Sequence, residues 1–377
     1  MKIINYDTKM NKTAVCLIMF LSFMASCSHK NRNSINEYSS VVFNLDDTPI
    51  SDKAELYDYE LIPLDSNPKC LLSSIEKMIV TPKGIYVQDT RYNHSLFLFG
   101  HDGKFISKIG VQGHSKSEYV RINNFTPSET GDTVAILDDY GRTIKLYSFK
   151  GKFLNSHSFE DEHGWDDCIS VDNHFYMTSY HHGREAIFSK YDYNFKKQIE
   201  VGKFDPSLIS GAGYFSKYTQ YSSKYICFLD YYNSCFYLLD RKNEDRIIKL
   251  VIESSNILSP TKKEYDSYPY DKIMDYVLTE NGIFMHVDYQ GYLCKYRIDI
   301  DNKIIWKDQA SGINHFFMDY YKGSYYEYLT AQQIGDLVKF CKNDINLMKA
   351  LTPYVDSLSD DNNYYILKAK PIHEIQN

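Results

Sequence analysis

The chain has no surplus of basic charge. Its 377 residues carry 42 Lys and Arg against 49 Asp and Glu, a formal charge of −7. A general polyphosphate-binding surface is therefore excluded, and nucleic acid is not an expected partner. The apolar run near the N-terminus, TAVCLIMFLSFM at residues 13–24, is too short to cross a bilayer as a helix. There is no HExxH, no paired Cys/His spacing and no Gly-x-Ser-x-Gly elbow, so the usual marks of zinc sites and serine hydrolases are missing. Residues 110–117 mimic a phosphate loop, but Ser115 stands where the Walker pattern requires glycine. A tight turn is expected there instead.

What the chain has in quantity is tyrosine, 35 residues, which suits half-buried pleated surfaces. It also has a repeat. GIYVQD, SLFLF, the Asp102-Gly103 turn and residues 105–109 form a strand–strand–turn–strand unit. The unit returns at residues 134–138 and 143–149 with Gly151, 48 residues after Gly103. Weaker copies occupy 175–178 and 186–191 with Asn194 at the turn, then 225–230 and 235–240, then 282–288 and 292–298 with Asp301-Asn302. Asn is the usual substitute for glycine at a left-handed position. One further strand precedes each unit, at 75–80, 121–125, 167–171, 214–218 and 273–278. A period of this size with four strands per unit predicts an all-β fold, a six-bladed β-propeller of antiparallel blades. The stretch LYDYELIPL at residues 56–64 alternates like a strand and is expected to be the outermost strand of the last blade, beside residues 364–370. That arrangement closes the ring.

The start of the chain reads as an address. Residues 1–26 form a signal peptide, and Met24-Ala25-Ser26-Cys27 resembles the lipobox of bacterial lipoproteins, with Cys27 the lipid attachment site. Several acyl chains there would hold the protein at a membrane, and Ser28 implies the outer membrane. Residues 27–54 are expected to be a polar tether with one edge strand at 41–45, and residues 55–377 the propeller.

IPLDSNPKCLLSSIEKM, DGKFISKIGVQGHSKSEY and DDNNYYILKAK resemble the six-bladed β-propeller lipoproteins of Bacteroidetes, relatives of NHL-repeat propellers. In that family the loop at 113–119 usually reads Gly-x-Gly-Pro-Gly-Glu-Tyr; Glu118 and Tyr119 match, and the Pro and Gly are replaced. The likeness implies the fold and the envelope address, and no reaction.

Thr330 and Gln333 form a capping box. Ile334, Leu337, Val338, Cys341, Ile345 and Met348 then predict one amphipathic helix, ended by Pro353 and packed on the last blade. Of the remaining cysteines, Cys227 and Cys235 flank a hairpin and could face one another; the set reads as buried free thiols.

Asp89, Asp138, Asp230 and Asp288 end the second strand of four blades. They are expected to cap the turn that follows; a ring of carboxylates holding a divalent cation is the alternative, and no other cofactor is called for. His157, Asp161, Glu162, His163, Trp165 and Asp166 crowd one loop, expected to be solvated. In antiparallel blades the between-blade loops share a face with the turns after the second strands. The long connections at 111–119, 160–166, 202–213 and 253–271 therefore lie on one side, where binding usually sits. Trp165, His181, His182, Arg184, Tyr231, Tyr232, Asp288 and Tyr289 collect there as candidates for a glycan, peptide or protein ligand. The expected activity is non-catalytic binding; a metal-dependent lactonase or a structural subunit of an outer-membrane complex are the alternatives.

Overall fold

The computed structural model describes residues 34–35, 39–51, 56–89, 91, 93–138, 140–160, 164–178, 188–201, 219–230, 234–243, 246–255, 257, 271–308, 316–358 and 364–372. Three strands come first: β1 (Ser34–Ile35), β2 (Ser39–Asn44) and β3 (Tyr57–Pro63). Blade 1 is β4 (Lys77–Thr81), β5 (Gly84–Asp89), β6 (Ser95–Phe99) and β7 (Phe105–Lys108). Blade 2 is β8 (Ile122–Pro127), β9 (Thr133–Asp138), β10 (Thr143–Ser148) and β11 (Phe153–Ser158). Blade 3 is β12 (Asp167–Val171), β13 (His174–Thr178), β14 (Phe188–Asp192) and β15 (Lys197–Val201). Blade 4 is β16 (Thr219–Tyr221), β17 (Tyr225–Asp230), β18 (Cys235–Asp240) and β19 (Ile247–Glu253). Blade 5 is β20 (Lys272–Leu278), β21 (Gly282–Tyr289), β22 (Tyr292–Asp299) and β23 (Ile304–Lys307). Blade 6 is β24 (Asp319–Tyr321), β25 (Ser324–Leu329), β26 (Tyr365–Pro371) and, as its outermost strand, β3.

Each first strand touches the first strand of the next blade all the way round, β4 to β8, β12, β16, β20, β24 and back to β4. The protein is thus a closed six-bladed β-propeller with the first strands around the axis. Closure is as expected: β3 runs antiparallel to β26, with Ile62 opposite Ile366 and Tyr59 opposite Ala369.

Both faces of every blade are apolar because each must pack on a neighbour. Every seam has its own buried cluster. Ile62, Tyr326 and Ile366 meet Met78, Val80 and Phe97 between blades 6 and 1, and Tyr86 and Leu98 meet Phe125 and Ile136 between blades 1 and 2. Burying one such side chain stabilises the fold by roughly 1.5–3 kcal/mol. Tyrosine serves these seams: Tyr86, Tyr119, Tyr147, Tyr176, Tyr276 and Tyr296 are all fully buried. Buried phenols need acceptors, and Tyr86 donates to Gly131 O at 2.8 Å while Tyr276 donates to Cys227 O at 3.2 Å.

Several details differ from the sequence reading. The stretch expected to be a polar tether with one edge strand at 41–45 has that strand, as β2, and adds further pairing to other blades. β1 lies parallel to β15 on blade 3, β2 parallel to β19 on blade 4, and Ile50 bridges Lys307 on blade 5. Such parallel partners are far apart in sequence and leave no local turn signal. The left-handed turn residues are Phe195 and Lys303, one position after Asn194 and Asn302. In blade 3 the shift buries Phe195, whose ring stacks between Phe175 and His157. That also places His157 in strand β11, outside the solvated loop expected for it. Cys227 stands opposite Leu238, and Cys235 opposite Asp230, so the two cysteines do not face each other; both are buried thiols.

The single expected helix is two. α1 (Ala331–Phe340) carries the capping box at Thr330, but Asp344 caps a second helix, α2 (Ile345–Leu351), and restarts the chain in a new direction. Ile334, Leu347 and Leu351 pack with Leu61, Tyr365 and Leu367 of blade 6, while Ile345 is 79% exposed. No helix of the described residues is long and apolar enough to cross a membrane. The inner strand expected at 214–218 lies outside the described residues; the described one begins at Thr219.

Because β3 completes a blade while β1 and β2 only add to complete ones, the two segments should differ in weight. Deleting residues 57–63 should abolish the single cooperative thermal transition. Deleting residues 28–51 should lower the melting temperature and leave the transition intact, as calorimetry would show. Equal effects would mean that β3 does not close the ring.

Candidate functional site

A propeller's first strands have one edge with no strand beside it. Their backbone groups turn toward a narrow axis and must find other partners. Here the preceding blade's side chains supply them. Val80 N–H donates to Asp319 of blade 6 at 2.6 Å, Ser170 N–H to Thr126 of blade 2 at 3.0 Å and Thr219 N–H to Asp167 of blade 3 at 2.9 Å. Gln220 of blade 4 accepts from Leu278 N–H and donates to Tyr276 O of blade 5.

At the end of the axis where the inner strands begin, this pattern becomes a charged network. Lys77 Nζ donates to Asn124 Oδ1 at 2.6 Å, Phe125 O at 3.1 Å and Asp167 Oδ1 at 3.2 Å, which ties three blades together. Asn124 Nδ2 also reaches Asp167 at 2.8 Å. Lys77 and Asp167 are 5% and 0% exposed, so the pair is fully desolvated and held by its hydrogen bonds. Thr178, cross-strand from Asp167, and Thr219 keep buried hydroxyls without a partner beside it. Asp167 and Lys77 act on the thiol next to them in opposite directions, but burial dominates and pushes Cys168 up. The opposite end is clamped by Arg241, whose guanidinium meets Asp172 at 2.6 Å and Glu129 at 2.7 Å from blades 3 and 2. That contact holds the Asp172 carboxyl below the usual range.

Among the described residues, Asp89 and Asp138 cap the loop before their blade. Asp89 accepts from Ser73 N–H at 2.6 Å and Ser73 Oγ at 2.6 Å, and from Asn93 Nδ2 of the following turn at 2.6 Å. Asp138 accepts from Val120 N–H and Arg121 N–H at 2.8 Å each, with Lys145 at 3.5 Å. Asp230 is fully buried, and Asp288 is half-buried at the end of β21. Among the described residues no three His, Cys, Asp or Glu side chains are grouped as metal ligands.

The other sequence candidates are dispersed. Trp165 is 1% exposed and packs on Phe159 and Tyr191 between blades 2 and 3, so it cannot meet a ligand. It is buried because Gly141 and Gly164 let the hairpin of blade 2 press directly on this loop: a Cβ at Gly164 would lie 1.5 Å from Tyr140 O. Tyr289 donates its hydroxyl to Asp46 at 2.8 Å, which raises the phenol to about 12 and lowers the carboxyl. His181, His182, Arg184, Tyr231 and Tyr232 lie outside the described residues, as do Asp161, Glu162 and His163.

The residues that the structure brings together on the long-loop face are others. The 110–121 loop folds on itself: Glu118 accepts from Ser115 N–H at 2.9 Å, which lowers its carboxyl, and Tyr119 is buried with its hydroxyl on His94 O at 2.9 Å. Lys145 and Tyr147 hold Glu118 O and Ser117 O from below. Glu118 and Tyr119, the two residues matching the Bacteroidetes pattern, therefore shape this loop without the Pro and Gly. Its outer surface carries Val111 and Val120, 58% and 40% exposed. Beside them Arg121 lies over the ring of Tyr140 at 5.1 Å. Tyr140 is 61% exposed and holds φ 58°, in the left-handed region that costs a non-glycine residue roughly 1–2 kcal/mol. A turn written Asp-Asp-Tyr-Gly is legible as a hairpin, but not the strain on its tyrosine.

Replacing Lys77 by Met should cost about 3–5 kcal/mol in urea unfolding, because Asp167 is left buried without its cation. Adding Asp167→Asn should recover part of that loss. No recovery would mean that the packing of the lysine stem, and not its charge, is what matters.

A family model described as a domain of unknown function, DUF4934, matches residues 34–374. Among solved structures, a Bacteroides fragilis protein described as exported is similar at TM-score 0.70 and 13% identity, covering 89% of this chain and 100% of its own. A member of the DUF4221 family from Bacteroides vulgatus is similar at TM-score 0.56 and 10% identity, covering 85% and 99%. At these identities the likeness is one of fold. No curated protein matches the chain.

Proposed function

We propose that this chain, which belongs to the DUF4934 family, is a lipid-anchored, non-catalytic binding propeller of the cell envelope that takes a glycan, peptide or protein partner on its long-loop face. The observation that carries the reading is Tyr140. A bulky residue held in a strained backbone conformation, and yet left 61% exposed, contributes little to the fold. Strain kept at an exposed position is a mark of function. Tyr and Arg are the residues that most often anchor an interface, and here Arg121 braces the ring. The braced loop at 110–121 adds Val111 and Val120 as apolar surround, on a scaffold rigid enough to present them without an ordering cost.

The envelope address rests on residues 10–27, with the lipobox Cys27 as acceptor of acyl chains and the outer membrane as destination. The exported description of the Bacteroides fragilis protein agrees with it. Replacing Cys27 by Ser should move the protein from the membrane to the soluble fraction; unchanged membrane association would count against lipidation.

Replacing Tyr140 by Gly should hold or raise the melting temperature while it removes partner binding. A photo-crosslinking phenylalanine analogue at position 140 of the full chain, expressed in the source cell, should trap a covalent adduct, and Arg121→Ala should reduce its yield. A folded protein that traps nothing, or a Tyr140→Gly variant that melts several degrees lower, would make Tyr140 a structural residue and sink the proposal.

A further inference from the structure

Tyr140 stands in the hairpin of blade 2 in a conformation that its own side chain disfavours, so a contact from outside the turn has to hold it. Tyr140 and Gly141 have φ of 58° and 75°, and only the second is a glycine. Tyr140 N–H donates to Asn123 Oδ1 at 3.3 Å, a long and exposed bond of little net weight.

The firmer constraint comes from the segment between blades 2 and 3. Gly164 lies so close to the Tyr140 carbonyl that a Cβ there would be 1.5 Å from the oxygen. Gly141 presses in the same way on Trp165, where a Cβ would be 2.0 Å from the carbonyl oxygen, and Trp165 N–H donates to Gly141 O at 3.1 Å. The Tyr140–Gly141 peptide is thus in backbone contact with both Gly164 and Trp165. That segment is itself bolted down: Trp165 is 1% exposed, with its ring against Phe159 at 6.2 Å and Tyr191 of blade 3 at 5.8 Å. The ring shares one apolar cluster with Leu137 and Ile144 of blade 2 and Phe175 and Met177 of blade 3. Packing as dense as this transmits displacement.

Arg121 is fixed separately, because its N–H donates to Asp138 at 2.8 Å. The guanidinium over the Tyr140 ring at 5.1 Å therefore depends on two supports, Asp138 for the arginine and residues 164–165 for the tyrosine. Moving either one parts the pair.

We propose that Gly164 and Trp165 are positioning residues for Tyr140: they hold its carbonyl against the segment between blades 2 and 3, which keeps the phenol ring out beside Arg121. This rests on the reading of Tyr140 as a binding residue. Trp165 acts on the partner without touching it, since its ring is buried in the seam. The contact between two blades thereby sets the pose of a side chain on the surface.

The test uses the full chain with 3-fluorotyrosine at position 140, read by fluorine NMR, which needs no partner. Arg121→Ala should shift the fluorine line by removing the cation from the ring. Gly164→Ala should shift it as well, because the new methyl displaces the Tyr140 carbonyl; adding Arg121→Ala to that variant should then change nothing. Trp165→Phe, which keeps a ring in the seam, should hold the line near its original place, and Trp165→Leu should move it. A folded Gly164→Ala chain whose line stays put and still responds to Arg121→Ala would show that the segment, not the tyrosine, gives way, and would overturn the proposal. If Gly164→Ala does not fold, Trp165→Leu decides on the same criterion. The crosslinking analogue at position 140 separates the two readings. In a chain that traps a partner, Gly164→Ala should cut the adduct to the level that Arg121→Ala leaves, and an undiminished yield would overturn the positioning role. A fluorine line that moves as expected in a chain that traps nothing would support the positioning role and show that the binding reading alone had failed.

Discussion

Six inner strands meet around an axis too narrow for another layer of protein, and each has an edge of backbone donors and acceptors with no strand to pair. The molecule is organised by how that edge is satisfied. Asp319, Thr126, Asp167 and Gln220 each serve the backbone of the following blade, and Lys77 with Asn124 extends the pattern across three blades. These bonds have a direction, blade to next blade, so each blade fixes the angle of its neighbour. Between blades 5 and 6 aromatic rings meet, with Phe284 against Phe317 at 5.8 Å and His286 stacked on Phe316 at 4.9 Å. Apolar seams alone would permit sliding; the polar contacts at the axis set the register.

Closing a ring raises a second demand, since a propeller built strictly in sequence order would leave two unconnected ends. The early strand β3 beside the late strand β26 meets it. The segment before β3 adds to the outer edges of blades 3, 4 and 5 on its way, which covers edges that would otherwise be open to another chain. The strained Tyr140 lies on the long-loop face, and the opposite face is closed by ion pairs such as that of Arg241 with Asp172 and Glu129.

Most of the fold was legible along the chain. Alternation of β-branched and aromatic residues marks strands, Asp-Gly at 102–103 marks a hairpin, and a period near 48 residues marks blades, all of them local properties. The site was much less legible. Trp165 read as a ligand-facing aromatic, yet two glycines, 141 and 164, let backbone close over it. Lys77, Asn124 and Asp167 carry no motif, because their partnership runs across three blades. Ile345 read as part of a buried stripe until Asp344 restarted the helix.

Strand pattern, turn chemistry and repeat length follow from the amino-acid order because each depends on residues within a few positions of one another. The network at the axis, the burial of Trp165, the path of residues 34–50 and the exposure of Tyr140 depend on which residues become neighbours once six sheets share an axis. Those neighbours are set by the closed ring, in which residues far apart in sequence, such as Lys77 and Asp167 at a separation of 90, meet in the buried interior.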